Sequence, residues 1–511
     1  AYIGDDGKLE YKPYANIGEE NKVNIIPDFS HAGYMRGGVP LPEIPVNRTL
    51  DPIAGDNLAR IQEAINNVSD LPEDASGFRG AVLLTRGLYE INGTLIINQS
   101  GVVLRGEGQG MDGTILKSTS TSKGDFIKIQ GSGSGLPEIL SFKRNITSPY
   151  VPTGAKTFEI ENTSGYVIGD EIVVVRTPNQ DWIDSIELGM EDWDLGGDDV
   201  PWTPASYTIS HERVIKASNN DTMITIDIPI VDPMQDKYGS GYVCKTNVMG
   251  RINNSGVENL RLESCYAHDE DENHAWNAIA LYRAKNCWVK QVTAQYFAYS
   301  CVNIQAESNF NTIQDCAMLD PKSITTGGRK YSFCLGNGLG NLFQRCYTRG
   351  GRHDYVTHAR LTGPNVFLDC LSEETYADIG PHHRWATGTL FDNVKGGEIR
   401  VRNRGSSGSG HGWAGAQTMF WHCTTLTHDI WVDSPKGAMN WGIACFAYEA
   451  NGDGYWELWG NDVVPRSLYL QQLQDRLGKD AVLNVTVSQQ LDGTLWNEIS
   501  RWAGEGEPTY L

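Results

Sequence analysis

The 511-residue sequence predicts an all-β protein wound as a parallel β-solenoid, and three observations carry that expectation. Fifty-six glycines beside 14 tryptophans and 22 tyrosines describe short strands joined by many turns, not long helices. A motif of Asn, four residues and Cys recurs as Asn311-Thr-Ile-Gln-Asp-Cys316, Asn341-Leu-Phe-Gln-Arg-Cys346 and Asn365-Val-Phe-Leu-Asp-Cys370, returning after 30 and then 24 residues. Apolar residues alternate within it, as at Val366, Leu368 and Cys370, so each period fits one coil of short parallel strands.

The repeat assigns roles to its residues. Asn at a recurring corner tolerates left-handed backbone and can bond the Asn of the next coil. Cys at equivalent places stacks inside as a small buried hydrophobe. All ten cysteines fall between Cys244 and Cys445 with no CxxC pair or zinc-like Cys/His spacing, so free structural thiols are expected even in a secreted protein. Looser copies run from Asn259 to Cys265 and at Asn286-Cys287.

Elements follow in order. Residues 1–50 read as an extended segment. Asp56 precedes Leu58, Ile61, Ile65 and Val68, one face of a short capped helix, and Gly-punctuated strands follow at 80–91, 93–97 and 101–108, giving a first unit over 51–135. Over 136–244, Phe158-Glu-Ile160, Glu171-Ile-Val-Val-Val175 and Met223-Ile-Thr-Ile-Asp-Ile228 alternate like antiparallel strands of an inserted β-domain. Its acidic loop carries Trp182, Trp193 and Trp202, either a sugar-stacking wall or anchors packed on the insert. The main solenoid spans 245–455. Ser467 then caps a helix with Leu470, Leu473 and Leu477 on one face and Gly478 at its end, within a helical cap over 456–511.

Composition excludes several classes. A 40% hydrophobic fraction over this length supplies a large core, and a net charge of −21 disfavours nucleic acid and anionic membrane as partners. No apolar run is long enough to span a membrane. The start Ala1-Tyr2-Ile3-Gly4, without initiator Met or signal core, and nine Asn-x-Ser/Thr sequons lead to the expectation of a processed, secreted protein.

The helix pattern Asp-Asn-x-x-x-Ile-Gln-x-Ala-Ile from Asp56, followed by Gly87-Leu-Tyr89 and Val102-Val-Leu-Arg-Gly-Glu-Gly108, resembles the opening of pectate-lyase-like, right-handed parallel β-helix proteins. The resemblance implies that fold and a carbohydrate-active protein. It assigns no catalytic residue, because the superfamily holds lyases, hydrolases, transferases, epimerases and tailspikes.

Chemistry concentrates between Arg349 and His428, where seven of the 11 histidines lie. Arg352-His353-Asp-Tyr355 with His358 and Arg360, then His382-His383-Arg384, then Arg402-Asn-Arg404 and His411, recur at about one coil's spacing and should stack into a stripe. Arg and His in a stripe suit an anionic polymer, here an acidic polysaccharide gripped by its carboxylates or sulfates. His422 and His428 read as ladder residues, and Arg402 and Arg404 serve equally well as a solvated strand face. The loop Gly405-Ser-Ser-Gly-Ser-Gly-His411-Gly-Trp413 lacks a phosphate-loop ending and is expected to present His411 and Trp413 to a sugar. Asp269 and Asp271, within four consecutive acids, are the candidates for a Ca²⁺ site or else a solvated acidic loop.

The sequence is compatible with three functions. Eliminative cleavage of a uronate polymer needs groups to neutralise the carboxylate, take a proton and give one; His353, Tyr355, His358, His382, His383 and Arg384 are the catalytic candidates, with Arg352, Arg360, Arg402, Arg404, His411 and Trp413 as substrate-binding residues. Hydrolysis or transfer needs paired carboxylates, for which Asp354, Glu373, Glu374, Asp378 and Asp392 are available. A carbohydrate-binding protein without catalysis needs only the aromatics and arginines. Oligomeric state is not readable.

Overall fold

The computed structural model describes residues 1–187, 200–219, 221–425 and 428–511. Successive coils lay down three columns of parallel strands. In the repeat region the first column takes Thr312–Gln314, Leu342–Gln344, Asn365–Leu368, Thr389–Asp392, Met419–Trp421 and Trp441–Ile443. The second takes Ala317–Leu319, Tyr347–Arg349 and Leu371–Glu373. The third takes Asp125–Gln130, Asn277–Tyr282, Ser300–Gln305, Phe333–Leu335, Tyr355–Thr357 and Gly380–Pro381. The molecule is therefore a parallel β-helix, as expected.

Register places like over like. Phe343, Phe367, Phe391 and Phe420 pair in sequence and face inward, with ring centroids 4.8, 5.1 and 5.2 Å apart. Val366 and Leu368 face the opposite way, onto the C-terminal helices. Cys370 nonetheless points inward with Cys316 and Cys346, because one left-handed residue, Asp369, stands between and resets the alternation. Asp315, Arg345, Asp369, Asn393 and His422 form a column of such corners, with φ from 51° to 57°.

Sequence alone gives the repeat asparagines both left-handed backbone and cross-coil bonding; the structure separates these jobs. Asn311, Asn341 and Asn365 keep negative φ and bond one another, Nδ2 of Asn311 donating to Asn341 Oδ1 at 2.9 Å and Nδ2 of Asn341 to Asn365 Oδ1 at 3.3 Å. All ten cysteines are free, and nine are buried. Cys334 departs from the interior stack: it sits between the inward Phe333 and Leu335 and so faces outward.

The helix Leu58–Ser69 buries Ile61, Ile65 and Val68 against the first coils, and Asp56 Oδ1 accepts from Leu58 N at 3.0 Å. Between the early coils and the repeats lies an antiparallel six-stranded sheet, in the order Arg144–Asn145, Gly241–Lys245, Glu171–Arg176, Ile209–Asn219, Met223–Ile226, Thr157–Glu159. Glu212 clamps this sheet to the solenoid through Arg251, at 2.6 and 2.8 Å. Helix Leu468–Leu477, capped by Ser467 Oγ, lies along the flank of the first column, and Leu495–Trp502 covers the second. Leu477 is exposed, not part of the packed face. Among the described residues no helix is long and apolar enough to cross a membrane.

The left-handed corners carry a charge pair that tests this architecture. Arg345 grips Asp315 one coil away at 2.7 and 2.9 Å and also donates to Gln490 Oε1, all within the interface to the helical flank. Both side chains are sealed from solvent, so Arg345→Met strands a buried carboxylate and should cost about 3–5 kcal/mol in denaturant unfolding. Pairing it with Asp315→Asn should recover part of that loss, and a single-variant loss below about 1 kcal/mol would contradict the buried pair.

Candidate functional site

The third column aims a line of rings outward. Trp276, Tyr299, Tyr331 and His353 each stand just before a strand of this column, so register stacks them. Centroid separations are 6.2 Å for Trp276 to Tyr299, 5.1 Å for Tyr299 to Tyr331, 5.1 Å for Tyr331 to His353 and 4.3 Å for His353 to His382. From His382 the line widens into His383 at 5.4 Å and His411 at 5.2 Å, and His358 lies 5.5 Å from His383. Five histidines expected to converge therefore do so, drawn from coils separated by tens of residues.

Hydrogen bonds fix the proton positions. Arg404 Nη1 donates to Nδ1 of His382 at 2.6 Å, so that nitrogen is bare and Nε2 carries the hydrogen of the neutral ring. His382 Nε2 then donates to Tyr331 Oη at 2.9 Å, which leaves the phenol's own hydrogen free to be given elsewhere. His353 Nδ1 donates to the Asp378 carbonyl at 2.7 Å, with the Asp378 carboxylate 3.4 Å away. Its Nε2 is therefore a bare lone pair, buried and without a partner among the described residues. Nε2 of His358 is shared between Tyr299 Oη at 2.9 Å and the Cys334 thiol at 3.2 Å.

Burial sets the charge state. It lowers the His358 and His411 imidazoles to about 4, for His411 with Arg404 and Arg384 adding to the effect. Burial followed by the neighbouring imidazoles lowers His383 to about 2 and drives His382 further down. His353 is lowered by burial against the opposing pull of Asp378. At neutral pH the rings are uncharged bases and donors, and the positive charge around them belongs to arginines, among them Arg352, Arg384 and Arg404. Burial raises the Tyr331 phenol to about 12 and the Cys334 thiol to about 12, so both keep their protons.

Several expected site residues go elsewhere. Tyr355 pairs with Phe333 in the strand ladder and so points into the core, where its hydroxyl donates to the carbonyls of Cys346 and Leu371. Tyr331 and Tyr299, one and two coils earlier, stand in the line of rings instead. Arg384 is spent on the carbonyls of Val200 and Ser409, which fasten the Gly-Ser loop. Trp413 donates to Ile186 O at 2.6 Å and packs into the insert rather than facing a sugar. Trp182 and Trp202 are likewise buried with Tyr207 and Trp385, so they act as anchors, while Trp193 lies outside the described residues. Arg360 reaches Ser206 O at 2.8 Å, and Arg402 lies beside the Trp431 ring. His422 joins the corner ladder through Asn393 Oδ1 at 2.7 Å, and His428 is exposed.

The acidic candidates also disperse. Asp269 pairs with Lys322 at 2.8 Å, and Asp271 accepts from the backbone of Ala267 and Asn273. No group of three His, Cys, Asp or Glu side chains among the described residues is arranged to hold a metal ion. Asp354 is buried beneath Ser332, Thr348 and Ser372, and Asp392 caps the flanking helix. Glu373 binds Tyr347 and Ser500, and Glu374 is exposed. Of the five, Asp378 alone touches the histidine cluster.

No family model matches the chain, and no curated protein matches it. Among solved structures it is similar to a protein of Geobacillus virus E2, at 12% identity over 81% of this chain and 59% of that one, TM-score 0.36. An alginate lyase from Paenibacillus is 10% identical over 80% of this chain and 97% of that one, TM-score 0.41. A mannuronan C-5 epimerase module from Azotobacter vinelandii is 10% identical over 82% and 100%, TM-score 0.34. With TM-scores this low, none of them speaks for the chemistry of this site.

The depressed imidazoles make the fold sensitive to acid. A histidine lowered to about 4 in the native state but ordinary when unfolded contributes stability above pH 6.5, where neither state binds its proton, and loses it as pH falls from 6.5 toward 4. The thermal midpoint should drop across that window and drop less in His358→Gln; equal slopes in the two proteins would contradict the assignment.

Proposed function

We propose that the protein is an extracellular polysaccharide lyase that cleaves a uronate-containing polymer by β-elimination. The observation that carries this reading is the pairing of a bare imidazole nitrogen, His353 Nε2, with a phenol free to donate, Tyr331, whose rings lie 5.1 Å apart. Two arginines, Arg352 and Arg404, flank them.

Each requirement of elimination has a candidate. Arg352 and Arg404 neutralise the uronate carboxylate, which acidifies the C5 proton. His353 Nε2 takes that proton, the electron pair closes the C4–C5 double bond, and the C4–O4 bond breaks. Tyr331 gives its proton to O4 and becomes a tyrosinate, whose charge the nearby Arg352 and Arg404 favour. Asp378, holding Nδ1 of His353, orients the base and supports the imidazolium that forms. His382 lies between base and acid and can return the proton for the next turnover. Half-buried His358, His383 and His411 line the approach. Hydrolysis by paired carboxylates is poorly served, since Asp378 has no carboxylate partner in the cluster among the described residues.

The test is digestion of a panel of uronate polymers, followed by the ultraviolet absorbance of unsaturated uronate and by reducing ends. Both should rise together. His353→Ala and Tyr331→Phe should each lower kcat about 10²–10⁴-fold, with the acid limb of the pH profile lost in the first. Reducing ends without the absorbance would sink elimination, and binding without cleavage of any polymer would reduce the site to recognition alone.

A further inference from the structure

Where the inserted sheet meets the solenoid there is a cavity of about 350 Å³, near the lower bound of small-molecule sites. Its solenoid wall includes Glu307, Asn337 and the segment from Ala359 to Thr362, and its other wall is Ser206 to Ser210 at the start of the strand Ile209–Asn219. His358 immediately precedes Ala359, so the cavity and the histidine cluster share one stretch of chain. We propose that this cavity is a second saccharide subsite, taking a sugar unit of the same polymer beyond the cleavage point and making the insert a determinant of chain-length specificity. The proposal rests on the polysaccharide reading above.

The wall chemistry supports a hydroxyl-rich occupant. The hydroxyls of Thr208, Ser210 and Thr362 and the Nδ2 group of Asn337 have no hydrogen-bond partner among the described residues. The wall's acids are already matched: Glu212 is held by Arg251 and Asn309, and Glu307 by Arg283 at 3.1 Å. Arg360 uses one nitrogen on Ser206 O and keeps the rest of its fork for a carboxylate. Ile209 and Leu339 add an apolar face of the kind a sugar ring covers. An apolar ligand would leave those hydroxyls unpaired, whereas a uronate unit engages both the hydroxyls and the arginine.

Thr208 is exposed, so Thr208→Trp should fill the cavity without disturbing the core. Calorimetry with trisaccharides and hexasaccharides of galacturonate, mannuronate and glucuronate–N-acetylglucosamine, on a His353→Ala background, reads binding apart from turnover. For whichever hexasaccharide binds, Thr208→Trp should weaken affinity about tenfold and Asn337→Ala about threefold, with the trisaccharide affected less. In the active protein the same variants should raise KM for the hexasaccharide more than for the trisaccharide. An equal effect on both lengths, or none, overturns the subsite even if elimination is observed. A length-selective loss of binding without unsaturated product keeps the subsite and removes the lyase reading. No binding of any acidic hexasaccharide overturns both.

Discussion

Everything in this molecule depends on the register of parallel strands between neighbouring coils. Because each residue lies directly over its counterpart one coil away, any side chain repeated at one coil's spacing becomes a column. The inward phenylalanines, the bonded asparagines, the left-handed corners and the outward line of rings are the same rule applied at four positions. Coil length can vary, as the 30- and 24-residue steps show, since loops absorb the difference while the ladders keep their pairing.

How far the sequence can be read follows from this rule. Periodicity identifies the coils, the insert and the flanking helix, because Asn311, Asn341 and Asn365 recur and Ser467 and Gly478 bracket an amphipathic run. It also brings the histidines to one face. It does not tell inward from outward within a strand of three residues, where a single corner residue resets the alternation. Tyr355 reads as a site residue because it stands beside His353, yet the strand turns it inward beneath Phe333. A signal for the tyrosines that join the ring line is present in the sequence: Tyr299 and Tyr331 are each followed by a Ser at or just before a strand of the third column, as His353 is followed by Asp354. Seeing it requires aligning coils on strands rather than on cysteines.

The charge state of the site comes from packing. Five imidazoles in a solvated loop would be mixtures of charged and neutral forms near pH 6.5, whereas here burial and mutual proximity keep them neutral. The protein thereby holds proton acceptors and donors beside permanently charged arginines, within a chain of net charge −21. Arg352, Arg384 and Arg404 thus gather positive charge around the imidazoles of a strongly acidic protein, which favours an anionic group there.

The line of rings from Trp276 to His411 has a consequence for how such a chain can change over evolutionary time. Elsewhere a solenoid tolerates the gain or loss of an entire winding, because each winding touches only its neighbours. Between Tyr331 and His411 that freedom is gone: Tyr331, His353, His382 and Arg404 come from four successive windings, and one extra layer would push neighbours about 4.8 Å further apart. Growth by duplication is therefore open to the two ends and closed at the middle.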